Sequence, residues 1–310
     1  MPLNFLIAIT LICWSLWGIC DKKALAKSDP VNTLLMTYAF FLPAAALGAL
    51  AMSAALPGWH LTARVLLWTG LACLVNWLGV IAYLKAMSKA EASYVLGITS
   101  GYPLIMQVIA VFALGEHIVP LRVVGSLLIF LGVFTIGFDQ NKTKGGDKLH
   151  DHMGLPDSLP DLRKERTVLA ILMVVAMLGW GSMGIFDKMA VQSATALEAY
   201  MGVLIWNAVL ALISWIVAGS RGLVSINFKR ALWLFPALSA LCLMVGGVAY
   251  IAALSVSTAT YVIVITGCYP LLMYGFAVWL LGEKLNATRL AGIAIIVAGG
   301  IFTQMTQSLS

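Results

Sequence analysis

The chain has 310 residues, of which 61% are hydrophobic and only 10% charged, with a mean hydropathy of +0.97. A soluble domain carries about a quarter charged residues, so water cannot wet this surface and lipid is its solvent. The net charge of +6 does not point to nucleic acid, because the basic residues lie in short loops between apolar runs, where they set membrane orientation.

A membrane helix needs roughly 20 apolar residues. Such runs fall at 3–20, 31–55, 65–84, 92–114 and 121–138, then at 167–186, 199–219, 231–253, 257–281 and 287–305. Lipid offers the backbone no hydrogen-bond partners, so every run is predicted to be a helix. The chain reads as an all-α integral membrane protein of ten transmembrane helices.

The first run lacks a basic lead-in and a small-residue cleavage site, and is expected to be a retained helix, not a signal peptide. It carries Trp14 and ends near Asp21-Lys22. Helix 3 holds Asn76-Trp77, an amide that would be costly against lipid and so should face protein or cavity. Helix 4 has Tyr102-Pro103 at its centre, with Thr99 and Gln107 near the same level. Proline removes a backbone donor and clashes with the preceding turn, which frees polar groups at mid-depth. Tyr102 is then either a cavity wall or part of a kinked packing interface.

Between helices 5 and 6 the stretch 139–166 has Gly145-Gly146, Pro156, Pro160 and mixed charges, and reads as a solvated linker. Its His150-Asp151-His152 triplet is read as loop, and no metal site is expected. Helix 6 carries Trp180 and Asp187-Lys188, helix 7 Trp206-Asn207, and helix 9 Thr266 and Tyr269-Pro270. The five cysteines, at 13, 20, 73, 242 and 268, form no CxxC pair and read as small apolar side chains.

Shifting the sequence by 167 places Tyr83 on Tyr250, Thr99 on Thr266 and Tyr102-Pro103 on Tyr269-Pro270. Tyr94 falls on Tyr261, Leu114-Gly115-Glu116 on Leu281-Gly282-Glu283, Arg122 on Arg289, and Gly125 and Gly132 on Gly292 and Gly299. From 79 to 137 there are 23 identical pairs in 59 positions. A shift of 166 aligns Trp14 with Trp180 and Asp21-Lys22 with Asp187-Lys188. Residues 1–138 and 167–310 are therefore two copies of one five-helix unit. Five is odd, so the second copy starts from the opposite face. That predicts inverted repeats around a central cavity, a plan of secondary transporters with the substrate at the repeat interface.

Arg64, Arg122 and Lys188 lie on one side and the other sixteen of the nineteen Lys and Arg on the opposite side. The positive-inside rule then puts the linker in the cytoplasm and both termini outside.

The segment Tyr83–Gly132, with its Tyr, Pro, Leu-Gly-Glu and spaced glycines, and its copy at 250–299, resembles the EamA-type repeat of the drug/metabolite transporter superfamily. The resemblance implies a ten-helix basket that exports or exchanges small metabolites such as amino acids, in a plasma membrane such as the bacterial inner membrane. Half-length relatives pair as dimers and use a first-helix Glu for proton-coupled cation export. Here that region is Cys13-Trp14-Ser15, without an acid, and duplication within one chain lets a monomer suffice.

No Asp, Glu, Lys or Arg lies near the middle of any run, which argues against a strongly charged substrate held at the midplane. The expected substrate is small and neutral, zwitterionic or amphipathic, moved by alternating access. Candidate binding residues are Trp14, Asn76, Tyr83, Thr99, Tyr102, Gln107, Tyr250, Thr266 and Tyr269. Pro103 and Pro270 are the expected kinks. Asp21, Lys22, Asp187 and Lys188 are either gating groups or helix-end anchors. Glu116 and Glu283 read as helix-end partners of Arg122 and Arg289. No cofactor is called for, and the partners are the substrate and membrane lipids. A lipid or lipid-carrier flippase fits the same scaffold. An intramembrane enzyme does not, since no HExxH, paired-Asp motif or Ser with a membrane His is present.

Overall fold

The computed structural model describes residues 2–56, 58–90, 95, 98–143, 159–224, 230–281 and 287–309. Tyr94, His150-Asp151-His152 and Gly282-Glu283 lie outside the described residues, as does the side chain of Arg289.

The first half contains α1 (Leu3–Leu25), α2 (Pro30–Ala39), α3 (Phe41–Ala55), α4 (Ala63–Lys89), α5 (Tyr102–Leu114) and α6 (Pro120–Thr143). The second contains α7 (Leu159–Val191), α8 (Ala196–Ser220), α9 (Arg230–Val256), α10 (Ala259–Thr266), α11 (Tyr269–Leu281) and α12 (Ala287–Gln304). Seven helical stretches are long and apolar enough to cross a bilayer, among them Pro30–Ala55 and Ala259–Leu280, which each join two helices. Shorter apolar helices at 102–114, 120–135 and 290–304 complete ten spans among the described residues.

Local chemistry sets the ends of these helices. Asp29 caps α2 by accepting from the Val31 and Asn32 amides at 2.9 and 3.0 Å, with Pro30 in the first turn, where no N–H is needed. Thr195 and Glu198 form a capping box at the start of α8. Gly115, with φ of 65°, ends α5 in the left-handed conformation that glycine adopts without strain.

Spans 4 and 9 are broken helices, not kinked ones. Pro270 is the second residue of α11, which starts after a turn at Gly267 and Cys268, and Pro103 is the second residue of α5. A missing N–H costs nothing in a first turn, so each proline sits just after a break. The break repeats to the atom: the Leu104 amide bonds the Gly101 carbonyl and the Leu271 amide the Cys268 carbonyl, at 3.0 and 2.9 Å.

The halves interlock by exchange. Helix α4 packs along α7 and α9 along α1, each pair being the repeat image of the other, while α6 packs on its own repeat mate α12. That last contact fixes the symmetry. A Cβ placed on Gly125 would sit 2.8 Å from the Gly299 carbonyl, and one on Gly132 would sit 2.6 Å from the Gly292 carbonyl. The numbers run in opposite senses, so repeat mates are antiparallel and the twofold axis lies across them, in the membrane plane. In lipid such contacts depend on close packing of small residues, because apolar side chains gain nothing by leaving lipid tails. Near the ends of the chain, Gln304 donates to Asn4 at 3.4 Å, so both termini share one face.

Candidate functional site

Between the two halves lies a cavity of about 130 Å³, walled by residues of α1, α2, α3, α4, α5, α7, α8, α9, α10 and α11.

Its aromatic wall is built twice. Trp14 packs on Tyr250 with centroids 5.1 Å apart, and stands edge-on to Tyr269 at 6.3 Å. Trp180 packs on Tyr83 at 5.2 Å, and edge-on to Tyr102 at 6.1 Å. Each Trp lies on a glycine of the opposite half. A Cβ on Gly246 would sit 2.9 Å from Trp14 Cδ1, and one on Gly79 would sit 3.3 Å from Trp180 Cδ1. The recurring Trp, Gly and two Tyr of the repeat thus form one interlocking unit that spans both halves.

The two copies are not equally open. Trp17 packs tilted against Tyr83 and edge-on to Trp180, at 6.0 and 6.3 Å, whereas its repeat counterpart is the narrower Met183. Tyr83 is fully buried with an unpartnered hydroxyl and does not reach the cavity, while Tyr250 lines it.

Of the other sequence candidates, Trp14, Asn76, Tyr102, Thr266 and Tyr269 lie in the wall. Thr99 and Gln107 do not. Gln107 donates to Ser126 at 2.7 Å and ties α5 to α6, and Thr99 is fully buried, its hydroxyl on the Val95 carbonyl at 2.8 Å. Asn207 accepts from the Trp77 indole at 2.9 Å and also borders the cavity. Ser15 donates to the Tyr269 carbonyl at 2.7 Å, at the break before α11, and its counterpart Gly181 faces the Tyr102 carbonyl. Trp17, Tyr38, Phe41 and Tyr200 also line the cavity. None of these four has an aromatic repeat mate, so the repeat gave no signal for them.

The two Asp-Lys pairs diverge. Asp21 accepts from Ser239 at 2.7 Å and lies outside the wall, and Lys22 is exposed. Asp187 is 4% exposed and lines the cavity, and Lys188 donates to the Leu254 and Ser257 carbonyls at 2.7 and 2.6 Å.

Polar groups converge on the face that carries the termini. Gly115 turns the chain so that Glu116 reaches α10, accepting from the Ala259 and Thr260 amides at 2.8 and 3.0 Å and from the Thr260 hydroxyl at 2.6 Å. Arg122 is 2% exposed, and donates to Thr260 at 2.5 Å, Thr258 at 3.2 Å and Thr306 at 3.1 Å. The Thr260 hydroxyl thus gives its proton to the carboxylate and accepts one from the guanidinium. Glu116 serves as the cap of a helix in the other half, since Thr258 makes no side-chain cap there.

A model of the EamA-like transporter family matches residues 1–138 and 167–305, both halves of this basket. The chain belongs to the EamA-like transporter family. As an EamA-like protein it is a drug/metabolite transporter and a membrane protein of many spans. This EamA-like chain is also similar to a protein of known crystal structure, with 16% identity, a TM-score of 0.70 and 99% of each chain covered. At that identity the likeness bears on the fold alone. No curated protein sequence matches it.

Proposed function

We propose that this chain is a secondary transporter that moves a small amphipathic metabolite, of amino-acid size, by alternating access. The observation that carries the reading is the aromatic cavity at the interface of two inverted repeats, with the same Trp-Tyr-Tyr unit contributed from each direction. A site shared by symmetry-related halves can be exposed to either face when the halves exchange conformations. In the conformation described, Glu116, Arg122 and Lys188 tie α5, α6 and α7 to the ends of α9 and α10 on the terminal face. We read that network as the closed gate of that face, and the face as extracytoplasmic.

The experiment is an uptake screen of metabolites into proteoliposomes, with and without a pH gradient. Saturable uptake of a small solute is expected, and the gradient arm separates proton coupling from exchange. Lipid translocation without uptake of any small solute would overturn the reading in favour of a flippase.

A further inference from the structure

Among the described residues, one buried carboxylate in the cavity wall is not held by the hydrogen bonds that fold the protein. Asp187 lies one turn from the end of α7, is 4% exposed, and is the only charged side chain among the described wall residues. Among the described residues no hydrogen bond to its carboxylate is found.

Its repeat mate shows that this is not a requirement of the helix end. Asp21 is as deeply buried, and there Ser239 satisfies it at 2.7 Å. The residue related to Ser239 by the repeat is Ala72, which has no donor. The second half keeps the acid, but the first half lacks the hydroxyl that would hold it. The adjacent cation is also committed elsewhere, since Lys188 bonds the Leu254 and Ser257 carbonyls. An ionised carboxylate kept out of water without a partner costs several kcal/mol, so its charged form calls for a cationic partner, and the cavity it lines is where one can reach it.

The surroundings define that partner. Trp14, Trp180, Tyr250 and Tyr269 present aromatic faces and edges, and no Lys, Arg or His is among the described wall residues. Aromatic faces attract cations and also pack against apolar rings. A carboxylate on the substrate would find no cationic side chain. We propose that Asp187 is the ammonium-binding residue of the cavity and that the substrate is an amphipathic monoamine: its ammonium sits on Asp187 at the terminal end and its apolar body lies between Trp14 and Trp180. The assignment rests on the transport reading above and narrows its substrate class.

The test uses three probes with one aromatic body: 2-phenylethylamine, phenylalanine and 3-phenylpropionate. Binding is read on the purified full chain from quenching of the wall tryptophans, together with thermal shift. The amine is expected to bind at least tenfold more tightly than the acid, with phenylalanine between them. Asp187→Asn should weaken amine binding at least tenfold, Asp187→Glu should retain most of it, and Asp21→Asn should change it less than twofold. Equal binding of amine and acid, absence of binding by all three, or an Asp187→Asn variant with wild-type affinity would each overturn the assignment. If Asp187→Asn does not fold, the preference of the wild-type chain among the probes decides. Uptake of some other solute class in the metabolite screen, with no amine preference, would leave transport standing and remove the amine.

Discussion

Trp14 and Tyr250, 236 positions apart in sequence, pack with ring centroids 5.1 Å apart, and Trp180 and Tyr83 reproduce the pair at 5.2 Å. Each pair joins the first helix of one half to the third helix of the other. The recurrence of these Trp and Tyr residues is therefore matched by contact across the interface.

Tyr102 and Tyr269 stand at the starts of α5 and α11, edge-on to Trp180 and Trp14. Replacing either with Phe keeps the ring contact and removes only the hydroxyl of a cavity-wall residue. Transport by Tyr102→Phe and Tyr269→Phe is expected to fall several-fold, with the amount of folded protein unchanged on size exclusion. The loss of one hydrogen bond to substrate corresponds to about 1 kcal/mol, or roughly fivefold. Wild-type rates in both variants would remove the hydroxyls from the site.

Gly125 and Gly299 let α6 and α12 meet backbone to backbone. A Cβ on Gly125 would lie 2.3 Å from the Thr303 hydroxyl oxygen and 2.8 Å from the Gly299 carbonyl, so the helices must separate. Gly125→Val is expected to destabilise the fold by about 1–3 kcal/mol, the usual cost of overpacking, and to lower the melting temperature. Gly219→Ala is the control: a Cβ there meets nothing within 4 Å, and Ala is the better helix former. A Gly125→Val protein as heat-stable as wild type would show that the close approach of these helices does not matter to stability.

The repeat, the spans and their inversion are legible in the sequence because hydropathy and identity at a fixed shift report them directly. The site is legible only in part. Trp14, Tyr102 and Tyr269 stand out because the repeat marks them. The same mark points equally to Tyr83 and Tyr250, and the difference lies in Trp17 against Met183, a change of side-chain volume that no pattern at the tyrosines reports. Asp187 reads as a helix end because its own polarity ends the apolar run at 186, yet α7 continues to Val191 and carries the carboxylate into the cavity wall. The fit of Gly115-Glu116 to α10 is tertiary, and sequence pairs Glu116 with the nearer Arg122 instead.

Orientation follows from charge. The loops read from the sequence assign three Lys and Arg to the terminal side and sixteen to the other, so both termini are expected to be extracytoplasmic. A C-terminal reporter that is active only when exported should be active, and one that works only in the cytoplasm should be silent. The reverse pattern would invert the membrane assignment and the assignment of the Glu116 network to the outer gate.

Glu116 holds the start of α10 from the opposite half, through two amides and the Thr260 hydroxyl. In the proposed alternating-access cycle, opening of the terminal face would part α5 from α10 and break these bonds. Hydrogen bonds to a charged group are worth about 1.5–3 kcal/mol, and an amide in place of the carboxylate forfeits much of that. Glu116→Gln should therefore shift the balance toward the open terminal face, roughly tenfold or more if a tenfold ratio corresponds to 1.4 kcal/mol. A single cysteine at Ile263, a wall residue of α10, placed in a cysteine-free background reports this through its reaction rate with an impermeant maleimide applied to the terminal face. Faster labelling in Glu116→Gln, at unchanged melting temperature, is the expected result. Equal labelling with a lower melting temperature would make Glu116 a helix cap that stabilises both states alike, and the gate would have to be sought in Arg122 and Lys188.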